Sequence, residues 1–86
     1  MYYVYVLKSK SDNKLYIGFT SDMRKRLEEH NAGENLSTRG RRPFQLVYCE
    51  VYKSRKDALT REKKLKNFKN SYKELKKRIL NSLNSI

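Results

Sequence analysis

The chain predicts an α+β domain: a small three-stranded antiparallel sheet flanked by helices, in the order β-β-α-β-α-α. Three observations predict it. Two runs dense in β-branched and aromatic residues, "YYVYVLK" and "KLYIGFT", flank the polar turn "SKSDN" and read as a hairpin. A third such run, "FQLVYCEVY", follows Pro43 after a loop rich in turn formers and positive charge. The stretches between and after these runs carry helix caps and apolar stripes at helical spacing, which suits helices packed on a sheet.

In the hairpin, Tyr3 and Tyr5 share one face and Val4 and Val6 the other. A turn centred near Lys10 and Ser11 sets Tyr5 roughly opposite Tyr16. Ser21 or Asp22 caps the first helix, and Gly33 sits where a left-handed residue would end it. Met23, Leu27 and His30 form that helix's buried stripe, with Arg26 and His30 four apart along its border. Ser54 and Asp57 have capping-box spacing at the start of a second helix. Ser71 and Glu74 repeat the device, splitting the basic C-terminal stretch near Asn70. Tyr72, Leu75, Ile79 and Leu83 give the last helix its apolar face.

With 86 residues the expectation is one domain spanning 1–86, with a core at about 2–68 and a C-terminal basic helix at about 71–83. A chain this short buries about 60–65% of its unfolded surface, so the core is small. The net charge is +12, and it is lopsided: residues 1–50 hold nine Lys/Arg against six Asp/Glu, and residues 51–86 hold twelve against three. Such an excess points to a polyanion partner through phosphate contact and counterion release. No apolar run near 18 residues and no signal-peptide pattern occur, so neither a membrane partner nor export is expected. The lone cysteine, Cys49, rules out an internal disulfide, fits a cytoplasmic compartment, and alternates with Val47 and Val51 as core filler.

One residue does not fit the pattern. On a helical wheel of about 100° per residue, taking Ala58 as zero, Glu62 falls near 40°, between Leu65 near 340° and Leu59 near 100°. A carboxylate inside that stripe must reach a cation, hold a metal ion, or belong to a helix rotated to release it.

These residues resemble the GIY-YIG nuclease superfamily, in particular its short stand-alone bacterial members. "YVY" at 3–5 and "YIG" at 16–18 look like the family's paired tripeptides. The helix "DMRKRLEEHNAG" follows with an arginine, Arg26, ten residues after Tyr16, and "ALTREKKLK" supplies a later glutamate, Glu62. The pattern departs at two places: Tyr3 replaces the first tripeptide's glycine, and Phe19 stands where some excision-repair incision enzymes carry lysine.

The resemblance implies a divalent-metal-dependent endonuclease with Tyr5, Tyr16, Arg26, His30 and Glu62 at its catalytic centre. Glu62 would hold one Mg²⁺ (or Mn²⁺), and Arg26 would clamp the scissile phosphate. Tyr5, its pKa lowered by Arg26 and the metal, would receive the water's proton; Tyr16 is the alternative, with Tyr5 orienting phosphate or water. His30 suits proton transfer or phosphate contact, or else a plain bond to backbone. Asn67 and Asn70 both match a late asparagine near the metal in some relatives. Arg39, Arg41, Arg42, Lys63, Lys64, Lys66 and Lys69 would hold flanking backbone, which implies low sequence specificity. The partner is then DNA, whether single-stranded, duplex or branched, with RNA also admitted and a targeting protein supplying selectivity. A role in DNA repair or processing is one such expectation. The alternatives are a non-catalytic basic nucleic-acid-binding module on the same fold and an RNA- or ribosome-associated basic protein.

Overall fold

The computed structural model describes residues 1–85. Strands β1 (Tyr2–Ser9), β2 (Leu15–Thr20) and β3 (Phe44–Tyr52) form one antiparallel sheet in the order β2-β1-β3, so β1 is central. Helix α1 (Met23–Ala32) follows β2, and α2 (Arg55–Asn67), α3 (Lys69–Arg78) and the single turn α4 (Leu80–Leu83) follow β3. The expected β-β-α-β-α-α order therefore holds.

The hairpin turn sits one residue later than the sequence suggests. Ser9 Oγ accepts the amides of Ser11 and Asp12 at 3.1 and 3.2 Å, and Asn13 takes a left-handed φ of 59°. This pins the turn between Ser9 and Lys14, pairing Tyr5 with Gly18 and Tyr16 with Leu7, in place of the expected pairing of Tyr5 with Tyr16. A slip of two pairing positions keeps the tyrosines on one face, with ring centroids 6.4 Å apart.

Alternation along β1 builds two cores. Val4 and Val6 pack with Ala58, Leu65, Leu75 and Ile79 from α2, α3 and the residue after α3. Tyr5 and Leu7 pack with Phe44, Tyr16, and Met23 and Leu27 of α1. Both sides of β1 are thus covered, and burying each of these aliphatic side chains contributes about 1.5–3 kcal/mol. A bulge lies between the pairs Val6–Tyr48 and Leu7–Leu46, leaving Val47 as the extra residue. The bulge breaks the expected alternation: Val47 joins the Val4 core and Cys49 the Tyr5 core, while Val51 is half exposed.

Asp22 caps α1 by accepting the Lys25 amide at 3.1 Å, and Gly33 ends it with φ 80°. Ser54 caps α2 through the Asp57 amide at 3.2 Å. The expected break near Asn70 and the cap at Ser71 need correction. The chain turns at Phe68, whose φ −119° and ψ 110° are extended, and Ser71 already lies inside α3. Nor is the C-terminal helix continuous to Leu83, because Ile79 leaves helical geometry with ψ 24°. Ile79 and Leu83 still pack on the Val4 core.

The Val4 face carries one satisfied charge cluster. Glu50 accepts the hydroxyls of Tyr48 and Tyr52 at 2.7 and 2.5 Å and the Arg61 guanidinium at 2.9 and 3.0 Å, joining β3 to α2. Burial alone would raise the Glu50 pKa, but the bonds from Arg61, Tyr52 and Tyr48 outweigh it and hold the carboxyl below its usual 4.5. A depressed carboxylate stabilises the fold above its unfolded pKa and loses that contribution as pH falls through the folded one. Arg61→Met is expected to cost about 2–3 kcal/mol in urea unfolding at pH 7, with the difference from wild type narrowing as pH drops below 4.5.

Candidate active site

Tyr5 is 2% exposed on the central strand, and a glycine opposite makes room for it. A Cβ built on Gly18 would overlap the Tyr5 phenol, so a side chain at 18 and the present position of Tyr5 exclude each other. From there the Tyr5 hydroxyl reaches His30 Nε2 at 3.0 Å. His30 is fully buried rather than lying on the helix border, and its Nδ1 meets Thr38 Oγ1 at 2.8 Å. Tyr16 and Phe44 close the ring edges at 5.1 and 5.8 Å from the imidazole centroid.

The hydrogen-bond directions follow from the network. Thr38 Oγ1 donates to the Asn35 carbonyl at 3.4 Å, which leaves its lone pairs for His30 Nδ1–H. Nε2 is then the acceptor, and the Tyr5 hydroxyl donates to it. Burial, then the Arg26 charge, lowers the His30 pKa below 6.5, which keeps the imidazole neutral. Burial foremost, then Tyr16, pushes the Tyr5 hydroxyl well above its ordinary value of 10, against the lowering effect of Arg26. Arg26 thus acts on Tyr5 in the expected lowering direction, and by itself it is outweighed by burial and Tyr16.

Arg26 pairs with Glu29 at 3.6 Å, too long for a hydrogen bond, and its buried Nε has no partner among the described residues. Glu62 also acts on Tyr5 by charge. Its carboxylate is 16% exposed and binds Lys66 at 3.1 Å, one turn along α2. The stripe carboxylate thus reaches a cation, and that cation stands 6.0 Å over the Tyr16 ring. Because β2 is an edge strand, groups from both faces of the sheet meet at Tyr16.

The basic residues divide into two kinds. Arg39 Nε donates to the Gly33 carbonyl, Arg42 Nε to the Arg39 carbonyl and Arg41 Nε to Asp12, each at 2.8 Å. These three arginines pin the 34–43 loop, and Arg41 with the Lys14 amide holds Asp12 at a pKa of about 2. Lys63, Lys64 and Lys69 are exposed, as are Asn67 and Asn70 at the α2–α3 corner. Sequence reasoning missed Thr38. A threonine inside a polar loop carries no periodic signal, and only the fold of 34–38 over α1 brings it to His30.

Gly18→Ala is expected to displace the Tyr5 ring and cost about 1–3 kcal/mol by overpacking, with loss of the Tyr5–His30 bond seen in the imidazole nitrogen shifts. His30 is expected to titrate below 6.5 by NMR. Its depressed pKa means that stability present above 6.5 is lost as pH falls through the folded value. Thr38→Val should remove the Nδ1–H acceptor and alter the tautomer signature in the same spectra, whereas Thr38→Ser should retain it.

The chain matches the family described as GIY-YIG catalytic domain over residues 1–79. It is 47% identical over 68 residues to a UPF0213 protein of Haloquadratum walsbyi, covering 78% of this chain and 75% of that one. It is 44% identical over 68 residues to a UPF0213 protein of Staphylococcus haemolyticus, covering 78% and 82%. The solution NMR structure of a UPF0213 protein from Bacillus halodurans superposes with a TM-score of 0.55 at 36% identity, over 98% of this chain and 86% of that one. With a family match over nearly the whole length and the same fold in a solved relative, the chain belongs to the GIY-YIG family.

Proposed function

We propose that the protein is a divalent-metal-dependent endonuclease that hydrolyses DNA phosphodiester bonds with low intrinsic sequence specificity, in DNA repair or processing. The observation that carries this reading is the directed chain from Tyr5 through His30 to Thr38, set beside an arginine with an unsatisfied buried donor. The hydrogen-bonded chain also serves the fold, but the arginine donor does not, since an unpaired buried donor costs free energy. A phosphate oxygen on Arg26 would satisfy it with a charge-assisted bond.

In this reading Tyr5 takes a proton from the attacking water as it passes its own to His30 Nε2. His30 becomes the imidazolium, with Nδ1–H still bonded to Thr38. The water oxygen bonds to phosphorus, the P–O3′ bond breaks, and the departing 3′ oxygen takes a proton from solvent. In this coupled transfer the Tyr5 hydroxyl donates to His30 Nε2 as it accepts from the water, so no free phenolate has to form. Tyr16 packs against both Tyr5 and His30 and fixes their orientation.

The donor set suits a hard cation held by few protein ligands. Among the described residues no three His, Cys, Asp or Glu side chains cluster, and the ion-pair partner of Glu62 is Lys66, whose side chain is 46% exposed. One carboxylate completed by water and substrate phosphate is a set that Mg²⁺ or Mn²⁺ accepts, and Glu62 would supply it. Such an ion, when bound, supplies charge stabilisation to the phosphate and the leaving oxygen.

The raised Tyr5 pKa also favours a second reading, a basic module that grips nucleic acid without cutting it. The two separate in one experiment: cleavage of labelled single-stranded, duplex and branched DNA in Mg²⁺ or Mn²⁺ against EDTA, with binding measured alongside. Glu62→Gln and Tyr5→Phe are each expected to lower metal-dependent cutting by about 10²–10⁴-fold while binding persists. Binding with no cutting on any substrate, equal in wild type and both variants, would replace the nuclease with the binding module.

A further inference from the structure

The groove between β2 and α3 begins at the site and runs away from it. Its first part, about 270 Å³, is lined by Tyr16, Lys66, Leu65 and Tyr72 among others. The second, about 540 Å³, shares Leu15 and Tyr72 with the first and continues past Lys14 and Lys76 to Lys8. No acidic side chain lines either part. Lys8 is occupied by the Leu83 carbonyl at 2.7 Å, and Lys66 by Glu62. Lys14 and Lys76 are exposed and have no ion-pair partner among the described residues. Lys76 Nζ stands 4.6 Å from the centroid of the half-buried Tyr72 ring.

We infer that this groove is a binding subsite for the polynucleotide strand flanking the scissile phosphate, with Tyr72 stacking on a nucleobase and Lys14 and Lys76 contacting its backbone. The inference rests on the nuclease reading for the position of the scissile phosphate, and three features carry it. The groove starts at Tyr16, so a strand held there is continuous with the site. Its charge is of one sign, and its cations without ion-pair partners among the described residues, Lys14 and Lys76, flank an aromatic ring that Lys76 already contacts, which is how strands are held without sequence readout. And α3 brings Tyr72 and Lys76 to β2 although neither belongs to the Val4 core, which takes Leu75, Ile79 and Leu83 from this region. An occupant with alternating anionic and flat apolar groups matches this lining, and a nucleic acid strand has both. Only a base outside a duplex stack can lie on Tyr72, so the ring favours substrate whose strand is unpaired here.

The test is binding of the full chain to a labelled oligonucleotide, alone and annealed to its complement, in EDTA so that nothing is cut, at several salt concentrations. Lys14→Ala/Lys76→Ala is compared with Lys53→Ala/Lys56→Ala, an equal charge change just after β3, at the opposite sheet edge, and in the first turn of α2. The groove pair is expected to weaken single-strand binding by about tenfold and to flatten the salt slope by about 1.4, two phosphates at 0.7 each. Tyr72→Ala should weaken single-strand binding about tenfold and duplex binding less, with Tyr72→Phe near wild type because a ring suffices for stacking. Equal losses in both lysine pairs, in a folded protein, would overturn the subsite, whether or not wild type cuts DNA. Loss specific to the groove in a protein that never cuts would keep the subsite and remove the nuclease reading.

Discussion

The phenol ring of Tyr5 lies over Gly18, on the side of the hairpin that faces α1. A ring can occupy that space only because residue 18 has no Cβ. The ring in turn carries its hydroxyl across the Tyr5 core to His30, 25 residues away in sequence. His30 is held from its other nitrogen by Thr38, so the 34–38 loop is fastened to α1 through the same imidazole. One glycine on an edge strand thereby sets where a helix, a loop and a central strand meet. The arrangement is rigid at each step, because both ring nitrogens are committed and the tyrosine is packed on a fully covered strand.

The electrostatics of that meeting point oppose each other. Burial and the neighbouring Tyr16 favour the neutral phenol, Glu62 and Glu29 push the same way, and Arg26 alone among these groups favours the phenolate. For His30, burial and Arg26 act together to keep the ring neutral, against Glu29. The resting state is therefore a neutral pair sharing one proton, beside a cation whose Nε is unsatisfied. Charge arriving at Arg26 or at Glu62 changes this balance. A phosphate at Arg26 lessens the field that keeps His30 neutral, and a cation at Glu62 offsets the carboxylate that opposes Tyr5 ionisation. A cation at Glu62 would therefore favour proton transfer from Tyr5 to His30, whereas a phosphate at Arg26 would act in two opposing ways, easing protonation of His30 and removing the charge that favours the Tyr5 phenolate.

Much of this was legible in the sequence, for reasons that differ by residue. Strand composition, the Asp22 and Ser54 caps and the left-handed Gly33 are local signals, and local signals decided those elements. Tyr5, Tyr16, Arg26, His30 and Glu62 were marked by the resemblance of their motifs to the GIY-YIG family, not by periodicity: Tyr5, Tyr16 and His30 cluster on the α1 side of the sheet, whereas Glu62 comes from α2 on the other side. The register was missed because a serine hydroxyl, not the turn's composition, fixed the turn. The helix break was missed for a similar reason: Ser71 and Glu74 have capping spacing, yet the chain bends where Phe68 takes an extended conformation. The Val47 bulge depends on pairing with β1, far away in sequence, and the Thr38–His30 bond, though its partners are only eight residues apart, depends on how the 34–38 loop folds over α1. The sign of the Tyr5 shift depends on how deeply the ring is buried, which composition does not state.

Cations in this chain do two kinds of work, and their geometry separates them. Arg39, Arg41 and Arg42 direct their Nε donors at the chain's own carbonyls and at Asp12, where a planar fork suits fixed acceptors. The lysines of α2 and α3 mostly face solvent, where a compact charge on a flexible stem follows a backbone without demanding one geometry. A surface made this way attracts phosphate with little discrimination among sequences, since nothing in it presents a rigid fork to a base edge. Under the proposed function, positional selectivity would come from Arg26, whose buried Nε makes no hydrogen bond among the described residues, and from the carboxylate of Glu62. On that reading affinity and selectivity would fall to different residues, the first spread over exposed lysines and the second concentrated beside the hydrogen-bonded Tyr5, His30 and Thr38.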